Sequence, residues 1–111
     1  MKAQIIRAFG GAELFEEATL PDPEAGDGEV LVRVHASSVN PVDYKVRTAG
    51  PEAIAPELPA VLGCDIAGEV IALGADVSDF KIGDAVYGCA GGVKGMPGAY
   101  AELFAADARL L

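Results

Sequence analysis

Short apolar runs, broken by glycine, proline and acidic residues, set the rhythm of the chain. Segments 2–8 and 13–19 flank Gly10-Gly11 and read as an N-terminal hairpin. Pro21 and Pro23 make 21–28 a turn. Segment 29–38 carries the clearest period of two. Val30, Val32 and Val34 alternate with Leu31, Arg33 and His35, so one face enters a core and the other is partly wet. The pattern then changes. Asn40 can cap a helix, Pro41 suits its first position and Asp43 its first turn, which predicts a short helix over 40–48 ending near Gly50-Pro51. Pro51, Pro56 and Pro59 make 49–60 a surface loop. A long strand is expected over 61–73, with Gly63 and Gly68 marking bulges or close backbone approaches. Segment 74–83 is a turn anchored by Val77 and Phe80, and 84–89 is a strand. A glycine-rich loop at 90–98 precedes a last strand at 99–106.

This pattern predicts a mainly β domain, a small barrel or sandwich with one or two short helices. The 111 residues are enough for one core. Hydrophobic residues make up 51%, but 20 residues are alanine, so large apolar content is ordinary. Eight Lys and Arg face 17 Asp and Glu, a net charge of −9 that disfavours nucleic acid. No apolar run approaches the roughly 18 residues of a membrane span, and no leader pattern opens the chain. Cys64 and Cys89 sit in no framework pattern. These features imply a cytoplasmic domain with no membrane partner. The stretch Ala90–Gly95 is not a phosphate-binding glycine motif.

Three motifs occur in order: Asn40-Pro41-Val42-Asp43-Tyr44-Lys45-Val46-Arg47; Gly63-Cys64-Asp65-Ile66-Ala67-Gly68-Glu69-Val70; and Phe80–Val86 followed by Gly98-Ala99-Tyr100-Ala101-Glu102. Together they resemble the N-terminal, GroES-like domain of the medium-chain dehydrogenase/reductase superfamily. The match is nearest to its zinc-independent quinone and enone oxidoreductases. The resemblance spans essentially the whole chain. It implies a partly open GroES-like β-barrel over 1–111, the substrate-side catalytic domain, with the Rossmann cofactor domain not present in these residues. It implies hydride transfer from NADPH to a quinone or an α,β-unsaturated ketone, by a chain that is not competent alone. Surface left uncovered by the missing partner predicts a homo-oligomer. Zinc members of the superfamily place a cysteine where Asn40 stands and Gly-His-Glu where Gly63-Cys64-Asp65 stands. No zinc site is therefore expected. A stand-alone binding or co-chaperonin-type domain without enzymatic activity is the competing reading; a ring-sized mass would mark it.

Negative charge grows on the substrate oxygen during hydride transfer, and without zinc it needs hydrogen-bond donors or a cation. The resemblance gives those roles to Asn40, Tyr44 and Lys45, with Asn40 and Lys45 also facing the cofactor. Tyr44, Lys45, Asp65 and Tyr100 form the expected substrate-binding set. Each has a plainer alternative. Asn40 is equally a helix cap. Tyr44 and Tyr100 are equally packing residues, and Lys45 a solvated surface charge. Asp65 can serve nearby backbone amides. Asp43 and Arg47, four apart, are expected to form an ion pair, with a structural role for Asp43. Cys64 reads as a small buried hydrophobe, Cys89 as an exposed, oxidisable thiol, and His35 as an exposed histidine rather than a base.

Overall fold

The computed structural model describes all residues, Met1–Leu111. Two antiparallel sheets and one helix account for the architecture. Strand β1 (Lys2–Ile6) pairs with β2 (Glu16–Thr19) and β4 (Ala60–Val61) in a three-stranded sheet. Strands β3 (Glu29–Ser37), β5 (Asp65–Leu73), β6 (Ala85–Cys89) and β7 (Leu103–Asp107) form the second, ordered β6-β5-β3-β7. The sheets remain open rather than closing a barrel. Helix α1 (Pro41–Ala49) links β3 to the rest.

The alternation in 29–38 decides which face of β3 is covered. Val30 and Val32 are fully buried, while Arg33 and His35 are exposed. Opposite Val32 stand Val70 on β5 and Phe104 on β7. With Ile66 and Val86 these side chains make the larger core. A smaller core gathers Ile6, Val46, Ala55, Ala60 and Leu62 under the helix, with Phe15 and Tyr100 packed against it.

Several expected elements are shorter than the sequence pattern suggests. The 13–19 segment opens as a 3₁₀ turn at Ala12–Leu14, because Leu14 packs against the smaller core, and only Glu16–Thr19 is strand. The 61–73 segment is split between the sheets. Ala60–Val61 pairs with β1, and the second strand starts only at Asp65. Gly63 makes this turn at φ +103°, and a side chain there would strike the Tyr100 ring. The 99–106 segment likewise crosses between sheets before pairing. The Gln4 N–H donates to Tyr100 O at 2.8 Å, and regular pairing begins at Leu103. Gly50–Ala53, within the expected loop, forms a 3₁₀ turn.

Candidate functional site

Asn40 and Asp43 start α1 as a capping box, in which the Asp43 carboxylate takes the Asn40 N–H at 2.7 Å. Asp43 Oδ1 also accepts the Cys64 N–H at 3.0 Å. This carboxylate is only 4% exposed and ties the helix start to the turn before β5. The expected ion pair with Arg47 does not form. Helical spacing brings such residues near each other only if both side chains stay on the helix surface. Asp43 instead turns inward to two backbone donors, and Arg47 donates to Gly10 O at 3.1 Å and stacks over the Phe15 ring.

Behind that anchor, Ser38, Asn40 and Asp65 meet. Asp65 Oδ2 accepts from the Asn40 amide at 2.7 Å and from the Ser38 hydroxyl at 2.8 Å; the same Asn40 amide donates to Ser38 Oγ at 3.0 Å. Cys89 stands opposite Asp65 in the β5–β6 register. The Ser38 and Asn40 donors hold the Asp65 carboxyl below the usual carboxylate value. Tyr100 stands behind the cluster. Its hydroxyl donates to Ser38 O at 3.0 Å and its ring meets Phe15 edge to face at 6.0 Å. Burial, reinforced by the nearby Asp43 charge, pushes the Tyr100 phenol up to about 12.

A cleft of about 440 Å³ opens over this cluster. Its walls are the outer faces of β3, β5 and β6, with Ala36, Ser38, Asp65, Ala67, Tyr87 and Cys89 on one side of the sheet. Among the expected site residues, Asp65 lines the cleft, Asn40 binds Asp65, and Tyr100 braces the Ser38 backbone. Tyr44 and Lys45 lie on the exposed face of α1, outside the cleft lining, and their side chains make no hydrogen bond or ion pair. Ser38 went unremarked in the sequence, although it continues the alternating face of Ala36 two residues on. Tyr87, also missed, is fixed by its register with Ala67. A second hollow, of about 410 Å³, is lined by Asp27, Glu29, Asp76, Asp79 and Asp107. Such a lining repels phosphate.

The alcohol dehydrogenase GroES-like domain pattern matches residues 26–111. This chain belongs to that family, within the medium-chain dehydrogenase/reductase superfamily. The GroES-like domain is 41% identical to a quinone oxidoreductase of Sus scrofa over 105 residues, covering 92% of this chain and 30% of that protein. It is 40% identical over 88 residues to a chloroplastic NADPH-dependent alkenal/one oxidoreductase of Arabidopsis thaliana, covering 78% and 23%. An alcohol dehydrogenase superfamily protein from Novosphingobium aromaticivorans superimposes with a TM-score of 0.90 at 42% identity, covering 99% of this chain and 33% of that one. The GroES-like domain thus spans between 23% and 33% of the length of these relatives. Its mainly β fold with a single short helix is the one expected from the motifs.

Proposed function

We propose that this GroES-like domain forms the substrate side of a zinc-independent oxidoreductase that reduces quinones or α,β-unsaturated ketones with NADPH. The observation that carries the reading is the cleft over Ser38, Asn40 and Asp65, mostly apolar along its walls and polar at one end. Flat, conjugated carbonyl compounds suit such a slot. The names of the Sus scrofa and Arabidopsis relatives agree with this substrate class.

The cleft fits only part of the cofactor. Its charged group is the Asp65 carboxylate, which tolerates a neutral amide or carbonyl edge and repels a pyrophosphate. The phosphates therefore belong to a cofactor domain outside residues 1–111, and the isolated chain does not turn over. A bound NADPH supplies the hydride. The residues of this chain bind and orient the acceptor. Asp65 draws the Asn40 amide and the Ser38 hydroxyl into one fixed arrangement, and Tyr100 holds the Ser38 carbonyl in place. Asn40 also carries the entry of α1. Tyr44 and Lys45, with uncommitted hydroxyl and ammonium donors, are assigned to the growing charge on the substrate oxygen, and Lys45 with Asn40 to the cofactor edge.

Zinc independence rests on the donor set. No three His, Cys, Asp or Glu side chains converge. The thiol in the histidine's place, Cys64, is buried and pushed up to about 12 by that burial and by Asp43. An amide in the cysteine's place and a single thiol in the histidine's fall short of the three strong ligands a catalytic zinc takes. No helix is long and apolar enough to cross a membrane. A cytoplasmic homo-oligomer, associating through Val39, Val42 and Tyr87, completes the reading; these side chains are 70%, 44% and 81% exposed.

The test is an amide-resonance titration of the 111-residue chain with 2-cyclohexen-1-one and with tetramethyl-1,4-benzoquinone. Shifts should cluster at Ala36–Asn40, Asp65–Ala67 and Tyr87–Cys89. NADPH oxidation by the chain alone should stay at background. Shifts confined to another face, or turnover by the chain alone, would overturn the assignment.

A further inference from the structure

The strand register sorts the cleft into two rows. Ala36 on β3 pairs with Ala67 on β5, and Ala67 with Tyr87 on β6. Register partners share a face, so two methyl groups form a floor beside the Tyr87 ring. Tyr87 is 81% exposed and its ring stacks on no other aromatic. An uncovered aromatic face is a platform for a second planar ring. Asp65 and Cys89 form the next row, two residues along the strands and roughly 7 Å away.

At that polar end donors and acceptors are unequal. The Ser38 hydroxyl and the Asn40 amide both donate to Asp65 Oδ2, at 2.8 and 2.7 Å, and the amide also donates to Ser38 Oγ. Oδ1 of the same carboxylate accepts nothing from the chain. No buried side-chain oxygen or nitrogen lacks a partner, so Oδ1 is open to solvent. Ser37 does not change the balance, because its register partner Ile66 points into the larger core. Cys89 adds only a thiol, a weak donor. The polar end thus presents a charged acceptor to whatever occupies the cleft, while its hydroxyl and amide donors are already committed.

We propose that the cleft holds the hydroquinone product in preference to the quinone. The inference rests on the quinone reading above. The two ligands share a planar ring that fits the alanine floor and the Tyr87 face, and they differ in hydrogen bonding. A quinone brings only carbonyl oxygens, which meet the Asp65 carboxylate with no donor between them. Reduction by one hydride and one solvent proton converts both carbonyls to hydroxyls, and one O–H then donates to Asp65 Oδ1. Hydrogen bonds to a charged acceptor are the stronger kind. An enone gives a saturated ketone instead, which has no donor for this oxygen. Hydroquinone therefore leaves against a bond that the substrate never made, and it competes with quinone for the cleft.

The 111-residue chain should be titrated without oxygen, by amide resonances, with tetramethyl-1,4-benzoquinone and with tetramethylhydroquinone. The methyl groups block addition of the Cys89 thiol to the ring. Both ligands should shift Ala36–Ser38, Asp65–Ala67 and Tyr87–Cys89, with the hydroquinone dissociation constant roughly tenfold lower, the effect of one bond to a charged acceptor. The dimethyl ether of the hydroquinone, a control that needs no variant, should lose this advantage. Asp65→Asn turns an amide N–H toward the cleft, since Asn40 and Ser38 keep its oxygen, and should reverse the preference. Tyr87→Ala, at an exposed position, should weaken both ligands alike. Equal constants for quinone and hydroquinone, or an ether that binds as tightly as the hydroquinone, overturn the proposal and leave the quinone reading standing. A preference that survives Asp65→Asn overturns the part given to Asp65. Unchanged constants in Tyr87→Ala overturn the aromatic face. No cleft shift with either ligand overturns the quinone reading as well.

Discussion

Asp43 is the single side chain on which the site's geometry depends most directly. It is buried and satisfies the N–H groups of Asn40 and Cys64, one on the helix and one on the turn before β5. Removing it leaves two donors without a partner, each costing about 1–3 kcal/mol. Asp43→Ala should therefore destabilise the chain by about 2–4 kcal/mol in urea unfolding, and Asp43→Asn by less, since one acceptor oxygen remains. Equal losses in both variants would argue that the charge, not the hydrogen bonds, matters. Tyr100 offers a pH test. Its phenol is raised to about 12 in the fold, above its ordinary 10.0. The neutral form is favoured on folding, so this contribution is complete below pH 10 and is lost as pH rises through about 12. Absorbance at 295 nm should show a late tyrosinate step near pH 12 that disappears in Tyr100→Phe. On the role proposed for it, Lys45→Ala should weaken a carbonyl ligand roughly tenfold, and it should leave the unfolding midpoint unchanged because the side chain is exposed. An unchanged dissociation constant would remove Lys45 from the site. At this scale the sequence motifs singled out Asn40 and Asp65 separately, and they could not show that the two bind each other. That contact depends on a strand 25 residues away.

Glycines govern how the elements are cut and joined. Gly68 lies where β5 passes β3, and a side chain there would run into the Arg33 carbonyl and Val32. The β3–β5 register shifts on either side of this point, between Leu31 and Val32 and between Val34 and Ala36. Gly68→Ala should cost about 1–3 kcal/mol as the strands are pushed apart. The check is amide exchange, which should accelerate at Val32–Val34 before it does in β1. Gly63 has the further constraint of positive φ, so Gly63→Ala is strained as well as crowded. The alternation of 29–38 and the Asn-Pro start of α1 were legible without coordinates, because both are local signals. The division of 61–73 was not. Its apolar residues serve the smaller core at Leu62 and the larger at Ile66 and Val70, and a continuous apolar run does not say where it changes sheet.

For the whole molecule, the acidic surface and the open sheets pull in opposite directions. A net charge of −9 keeps molecules apart at low salt. Val39, Ile54, Ile82 and Tyr87, all more than 60% exposed, favour association. Raising ionic strength screens the charge and leaves the apolar patches unchanged. Sedimentation velocity should therefore show self-association that grows with protein and salt concentration, and Val39→Ser with Tyr87→Ser should reduce it. A strictly monomeric chain in high salt would rule this surface out as an interface. Tyr87 on this surface also belongs to the cleft wall.

The sequence by itself determined the mainly β architecture, the helix start at Asn40-Pro41 and the family. Those features follow from local patterns: alternation, capping and motifs of eight or so residues. Only the tertiary structure decided that Ser38, Asp65 and Cys89 share one cleft with Asn40 bound to Asp65, that Asp43 faces inward rather than toward Arg47, and that Tyr44 and Lys45 stand outside the cleft lining. These outcomes depend on strand pairing between residues more than 20 positions apart. Side-chain direction at such a meeting point is set by the register of several strands at once.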